Sequence, residues 1–450
     1  MELEDFFTGP RDMKHHSKVP TFFRVHGSVL PKMILPLLFI GCWATAITCI
    51  SKYVHSLSVN SVLLTVLGFV VGLALSFRSS TAYERYSEGA RYWSTLTLQS
   101  RNLARMIWVH VKERHDNEEE GKSDLLAKVT ALNLINAFAV ALKHRLRFEP
   151  STEYPDLQPL VGNIDTMAGI ADQAALQARK KTILKHAGEY LGISFAESNP
   201  RKQLKQSRDN LGNVPLEVLT HLQSYIDSII ESGQVTNGPI QSNMLASMGI
   251  LADVLTGTER VLNTPLPLAY SISIAQITWV YVMLLPFQLY KALDWITIPG
   301  TIFATYIILG ISTIGSEIEN PFGNDVNDLP LDTYCRELAA DIDVLTAMPA
   351  PKPKTFVASA SNKVLYPLSM SEYAVWADRS VEEIRDALRQ KATSADVKVE
   401  RLERSTTNEA EGVSTGVNEK DFGGTVNVRK ASGSTEQSGN DNRVQGHDAV

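Results

Sequence analysis

Phe69, Leu73 and Phe77 recur four residues apart inside an uncharged run, and the next charge after them is Arg78, the first since Lys52. Phenylalanine and leucine bring no acid, base, nucleophile or metal donor. What such a stripe can do is present one continuous apolar face of a helix, whether to a packing partner, to lipid or to water that it excludes. Periodicity alone leaves those uses open. Gly68 and Gly72 form a neighbouring GxxxG, a pattern that lets helices approach closely. Enzymatic chemistry has no foothold: the chain carries no H-E-x-x-H, P-loop or G-x-G-x-x-G pattern. No catalytic residues and no enzyme activity are expected.

The element that must hold the stripe is a helix. After Arg78 come Glu84, Arg85, Glu88 and Arg91, so an uncharged stretch able to cross about 30 Å of hydrocarbon leads directly into a charged amphipathic helix. Three more uncharged runs give four spans in all, at about 33–51, 60–77, 268–290 and 295–316. The third is interrupted by Pro286, and Pro299 sits where the first turn of the fourth tolerates it. None of the spans holds an intramembrane acid or base of the kind that marks proton or substrate chemistry. Between the second and third spans, residues 78–260 read as helices at 81–114, 124–147, 163–191, 215–232 and 241–262. Trp93, Leu96, Leu103, Ile107 and Val111 fall near one stripe of the first of these. The fold class is therefore an all-α membrane protein with a large helical domain inserted after the second span.

Charge orients it. Arg11, Lys14, Lys18, Arg24 and Lys32 precede the first span, and Arg78, Arg85, Arg91, Arg101 and Arg105 follow the second. The short loops on the other side offer only Lys52 and Lys291. The positive-inside rule puts both termini and the inserted domain in the cytoplasm, with the plasma membrane as the expected residence. Residues 1–20 read as a flexible leader, 351–391 as a partly ordered extension and 392–450 as a disordered tail rich in Ser, Thr, Gly, Asn and charge. A net charge of −6 over 450 residues argues against a nucleic-acid binder. Three cysteines with no CxxC spacing exclude a disulfide framework.

Four blocks then carry a resemblance. FFRVHGSVLPK before the first span, LSFRSSTAYERYSEGARYW after the second, GTERVLNTPLPLAY before the third and ENPFGNDVNDLPLDTYC after the fourth resemble the bestrophin family, more narrowly its microbial and fungal chloride channels. The likeness covers roughly residues 20–350. It implies a homopentameric channel for chloride and similar small anions, set in membrane lipid, in which the second span lines a narrow neck. The family's three neck positions fall on Phe69, Leu73 and Phe77, giving stacked hydrophobic rings that gate by how easily water occupies them. Arg78, Glu84, Arg85 and Glu88 would then lie at the neck exit, with Arg78 the foremost candidate to shape the field there. Glu259 and Arg260 read as ties between the helical domain and the membrane part. A second, cytosolic constriction is implied, with Leu216–Leu222 as its neighbourhood.

In animal bestrophins an acidic run after Asn-Pro-Phe-Gly clasps calcium, and its two aspartates match Asp325 and Asp328. Two carboxylates plus carbonyls could supply the six to eight oxygens a hard cation wants. The run here departs from the family at Asn324, Val326 and Asn327, which removes charge. No cofactor is required, calcium being expected only as a regulator. The other reading of Asp328 is a turn or helix-capping residue. Two other functions stay open at this point: a cation-selective channel of the same family, and a membrane-anchored scaffold that passes no ions.

Overall fold

A computed structural model describes residues 23–170 and 212–392, apart from residues 24, 26, 58, 60 and 115–117. The leader, most of the helix expected at 163–191 and the tail beyond 392 lie outside the described residues. The chain divides into two units, residues 1–351 and 352–450. Among the described residues of the first, eight long helices follow one another: α1 (Leu30–Tyr53), α2 (Ser61–His110), α3 (Glu118–Leu146), α4 (Val214–Glu231), α5 (Gly238–Asn263), α6 (Leu268–Leu293), α7 (Thr297–Glu317) and α8 (Leu331–Thr346). No strand occurs among the described residues.

The second span and the charged helix after it are one element. Nothing between Leu75 and Trp93 breaks a helix, so α2 runs for 50 residues, ~75 Å at the usual rise. Its first half packs on α6 through Val71 and Leu75 against Ile274. Its second half enters the largest core of the protein, where Trp93, Leu96, Leu103 and Ile107 meet Phe138 and Leu142 of α3, Leu222 and Ile226 of α4, Leu251 of α5 and Leu338 of α8. The predicted stripe on α2 is thus the seam on which the inserted domain is built. Close approach matters most at Gly257 of α5, where a Cβ would stand 2.2 Å from Cζ of Tyr92. That ring is rigid, so Gly257→Ala must part α2 from α5. We expect a loss of about 1–3 kcal/mol, read as a lower midpoint in thermal unfolding of the purified protein.

Among the described residues four stretches are long and apolar enough to cross a membrane, and one is unexpected: Leu30–Tyr53, Leu64–His110, Glu118–Leu146 and Leu268–Glu317. The last is two helices, α6 and α7, joined by the 3-10 turn Asp294–Ile296. Glu118–Leu146 is α3, which differs in burial, 61% of its apolar stretch lying inside the protein against 22–28% for the others. It also buries Asp124 on Arg114 and Lys128 on Glu113. A helix whose apolar surface is already covered by protein is a core helix. The candidate spans are therefore α1, the first half of α2, α6 and α7. These four pack on one another through small clusters only, such as Met33, Ile40, Val282 and Leu309, because most of their surface faces outward.

Pro286 does not interrupt α6, contrary to the expectation of a break. A proline withholds an N–H from the preceding turn, and neighbouring groups must then satisfy the carbonyls that are released. The Trp43 indole donates to the Met283 carbonyl, in the turn before the proline, at 3.0 Å. The second unit has a small core of its own, Leu365, Trp376 and Ala387, with Arg379 stacked 4.2 Å from the Trp376 ring. A helix covers 381–392.

Candidate functional site

At 100° per residue, Phe69, Leu73 and Phe77 lie within about 80° of arc on α2. They are 73%, 48% and 57% exposed, while Val71 and Leu75 on the other flank are buried on α6. Val62 and Val66 extend the exposed apolar face towards the helix start. The GxxxG divides between the flanks. Gly68 makes room for Tyr281, whose hydroxyl would lie 2.9 Å from an added Cβ, and Gly72 opens onto free space. The face therefore consists of large apolar side chains that the protomer's own packing does not use.

Followed past Phe77, the same arc passes Ser80, Glu84, Ser87 and Arg91, all exposed. Arg78 is not on it. One residue beyond Phe77 the helix has turned about 180° from Phe69, and Arg78 points into the protomer. It is buried, donates to Ser316 Oγ at 2.7 Å and stands 4.0 Å from the Glu319 carboxylate. The expected exit charge at Arg78 is thus corrected by helix phase: the first acid or base on the exposed arc is Glu84. Arg85 is likewise structural. Its guanidinium donates to the carbonyls of Val261 at 2.5 Å, Glu319 at 3.0 Å and Thr264, gathering the ends of α5 and α7 onto α2. Glu88 pairs with Arg260, and Arg145 of α3 holds Glu259 at 3.0 Å. Glu259 and Arg260 thus tie α5 to α3 and to the charged half of α2, within the inserted domain and not onto the spans as expected.

The loop 320–330 docks where α2 narrows to Gly89, with Phe322 fully buried and 3.0 Å from the position of a Gly89 Cβ. Asp328 is buried, and its Oδ2 accepts the Asp325 N–H at 2.8 Å, closing a turn. It does not cap α8, whose N-cap is Pro330. Burial, with the nearby Asp325 and Glu317 charges, pushes its carboxyl up to about 7 against the pull of the Asp325 N–H and of Lys32. Asp325 stands on the outside of the turn, 3.5 Å from Lys32 Nζ.

These residues do not fit a calcium ion. Among the described residues no three His, Cys, Asp or Glu side chains converge as a metal group. The oxygens nearest the two aspartates each face an N–H: Glu317 has Lys32 at 2.8 Å and Asn327 Nδ2 at 2.9 Å, and the Gly27 carbonyl has the same Asn327 amide at 3.2 Å. A hard cation needs free oxygens.

Leu216–Leu222 lies on the first turns of α4. Leu219 and Leu222 are core residues, which leaves Leu216, 50% exposed, as the apolar side chain there that is open to a neighbouring space. The basic cluster at the end of α3 was not singled out from sequence. There Lys143 is buried between Asp156 and Asp332, Arg147 holds Asp332 at 2.8 Å, and His144 lies between Glu149 and Asp156 while stacking on Tyr154. This network fastens the first turn of α8, just after loop 320–330, to the inserted domain. Its one local signal is the run Lys143–Arg147, cationic side chains where a helix C-terminus favours them.

The family model for "Bacterial/Fungal Bestrophin protein" matches residues 10–344. The chain is 31% identical over 340 residues to a voltage-dependent anion channel-forming protein of Synechocystis, covering 74% of this chain and 95% of that one. It is 33% identical over 330 residues to another so named from Nostoc, covering 72% and 91%. Among solved structures, a bacterial bestrophin homologue from Klebsiella pneumoniae, carrying one substitution, superposes with a TM-score of 0.53 at 24% identity, covering 72% of this chain and 100% of that one. At that identity the likeness speaks for the fold.

Proposed function

Because the chain belongs to the bacterial and fungal bestrophin family, we propose that it is a channel for chloride and other small anions, assembled from five copies around an axis lined by α2. It is an integral, multi-pass membrane protein, with both termini and the inserted domain on the cytoplasmic side of the plasma membrane. The observation that carries this reading is the outward face of α2, where Phe69, Leu73 and Phe77 stand 73%, 48% and 57% exposed in single file. Repeated around an axis they make three apolar rings whose wetting sets conduction. Its fold and its anion-channel relatives support the same reading.

An apolar neck offers no ligands to replace a hydration shell, so ions that shed water cheaply pass best. Anion substitution in planar-bilayer recordings should rank nitrate, iodide and bromide above chloride. One observation favours a second reading within the family, cation selectivity: Glu84, not Arg78, is the first acid or base on the exposed arc. The reversal potential in a salt gradient separates the two. A potential that follows the cation gradient would overturn anion selectivity. Liposomes holding the purified protein with no ion flux of either sign would leave a membrane-anchored scaffold.

A further inference from the structure

Lys32, in the first turns of α1, stands at the meeting point of three distant segments. Its Nζ is 2.8 Å from Oε1 of Glu317, the last residue of α7, and 3.5 Å from Oδ2 of Asp325 in the following loop. The Glu317 side chain is only 8% exposed, and a carboxylate so buried needs a counter-charge and hydrogen bonds. Lys32 supplies the charge. Asn327 supplies the second bond at 2.9 Å, and with the same amide reaches back at 3.2 Å to the carbonyl of Gly27, before α1.

We propose that Lys32 is a built-in counter-cation for this junction. The tethered ammonium draws the start of α1, the end of α7 and loop 320–330 together, as a bound divalent cation would otherwise have to do. Because it is part of the chain, the loop keeps its order whether or not metal is dissolved around it. The same geometry has a converse. Removing the ammonium frees Glu317 Oε1 and Asp325 Oδ2, while the Asn327 amide keeps Glu317 Oε2 and the Gly27 carbonyl, and those two freed carboxylate oxygens can take a hard divalent cation together with water. The proposal concerns the order of this loop and does not depend on ion flux, so a non-conducting protein would defeat the channel reading and leave this one to its own test.

The test is thermal unfolding of the full chain in detergent, with calcium chloride at millimolar concentration or with EDTA. The unvaried protein should unfold at one temperature in both. Lys32→Gln should unfold ~3 °C lower in EDTA and recover that loss as calcium chloride saturates. Lys32→Arg should behave as the unvaried protein. Adding Glu317→Gln and Asp325→Asn to Lys32→Gln should abolish the recovery. A calcium-dependent midpoint in the unvaried protein would overturn the proposal, as would a Lys32→Gln variant that is no less stable or that ignores calcium. If Lys32→Gln is recovered folded only when purified in calcium chloride, the proposal stands; if neither calcium chloride nor EDTA yields it folded, the equivalence of ammonium and metal is overturned.

Discussion

Replacing Phe69, Leu73 and Phe77 together by alanine is expected to raise single-channel conductance several-fold and to abolish closure of the neck. The three side chains are the largest apolar groups on the exposed arc of α2. Each truncation widens its ring and removes the apolar surface from which water withdraws. Because these side chains stay largely outside the protomer's own packing, the variant should unfold within a degree or two of the unvaried protein. That separates a pore effect from a folding effect. Val71→Ala with Leu75→Ala, on the flank buried against α6, should do the opposite: a lower unfolding midpoint with little change in the open conductance. Unchanged currents in the triple variant would move the path to some other helix.

Lys143→Met carries the second large effect, on stability. The ammonium is 4% exposed and bonded to both Asp156 and Asp332, at 2.7 Å to the latter. Taking it away leaves two carboxylates around an apolar stem, and such a loss costs about 3 kcal/mol. Chemical denaturation of the purified protein measures it directly. The acid limb supplies an independent reading. Burial by itself would raise the Asp332 carboxyl, yet bonds from Arg147 and Lys143 hold it down to about 2, below the 3.8 of an ordinary aspartate. A carboxyl depressed on folding contributes stability that is complete above about pH 4 and is lost as the pH falls towards 2. In Lys143→Met the Asp332 part of that acid limb should be smaller and should end at higher pH, because Asp332 keeps only Arg147 to hold its folded carboxyl down. A variant as stable as the unvaried protein, with an unmoved acid limb, would make the network ornamental.

Much of the architecture was legible because it depends on neighbours along the chain. A helix declares itself by apolar residues every three or four positions, so the expected helices at 215–232 and 241–262 match α4 (Val214–Glu231) and α5 (Gly238–Asn263) to within a few residues. The stripe Trp93, Leu96, Leu103, Ile107 and Val111 is buried as its spacing required. The helix expected at 124–147 is α3, a core helix although its apolar stretch is long enough for lipid, because its neighbours cover it. Pro286 misled, since a proline need not break a helix when a nearby donor serves the turn before it, and here the Trp43 indole donates to the Met283 carbonyl.

The sequence by itself determined the all-helical class with several apolar membrane helices, the alignment of Phe69, Leu73 and Phe77 on one face and the family, all of which rest on local periodicity, runs of charge and short motifs. Only the tertiary structure decided what the charged groups do. Arg78 follows Phe77 in the chain but meets Ser316 and Glu319, Lys32 meets Glu317 and Asp325, and Lys143 meets Asp332. A long side chain on a helix has several directions open to it and takes the one where an opposite charge waits. The partners that wait lie between about 190 and 290 residues away along the chain, a separation that only packing closes.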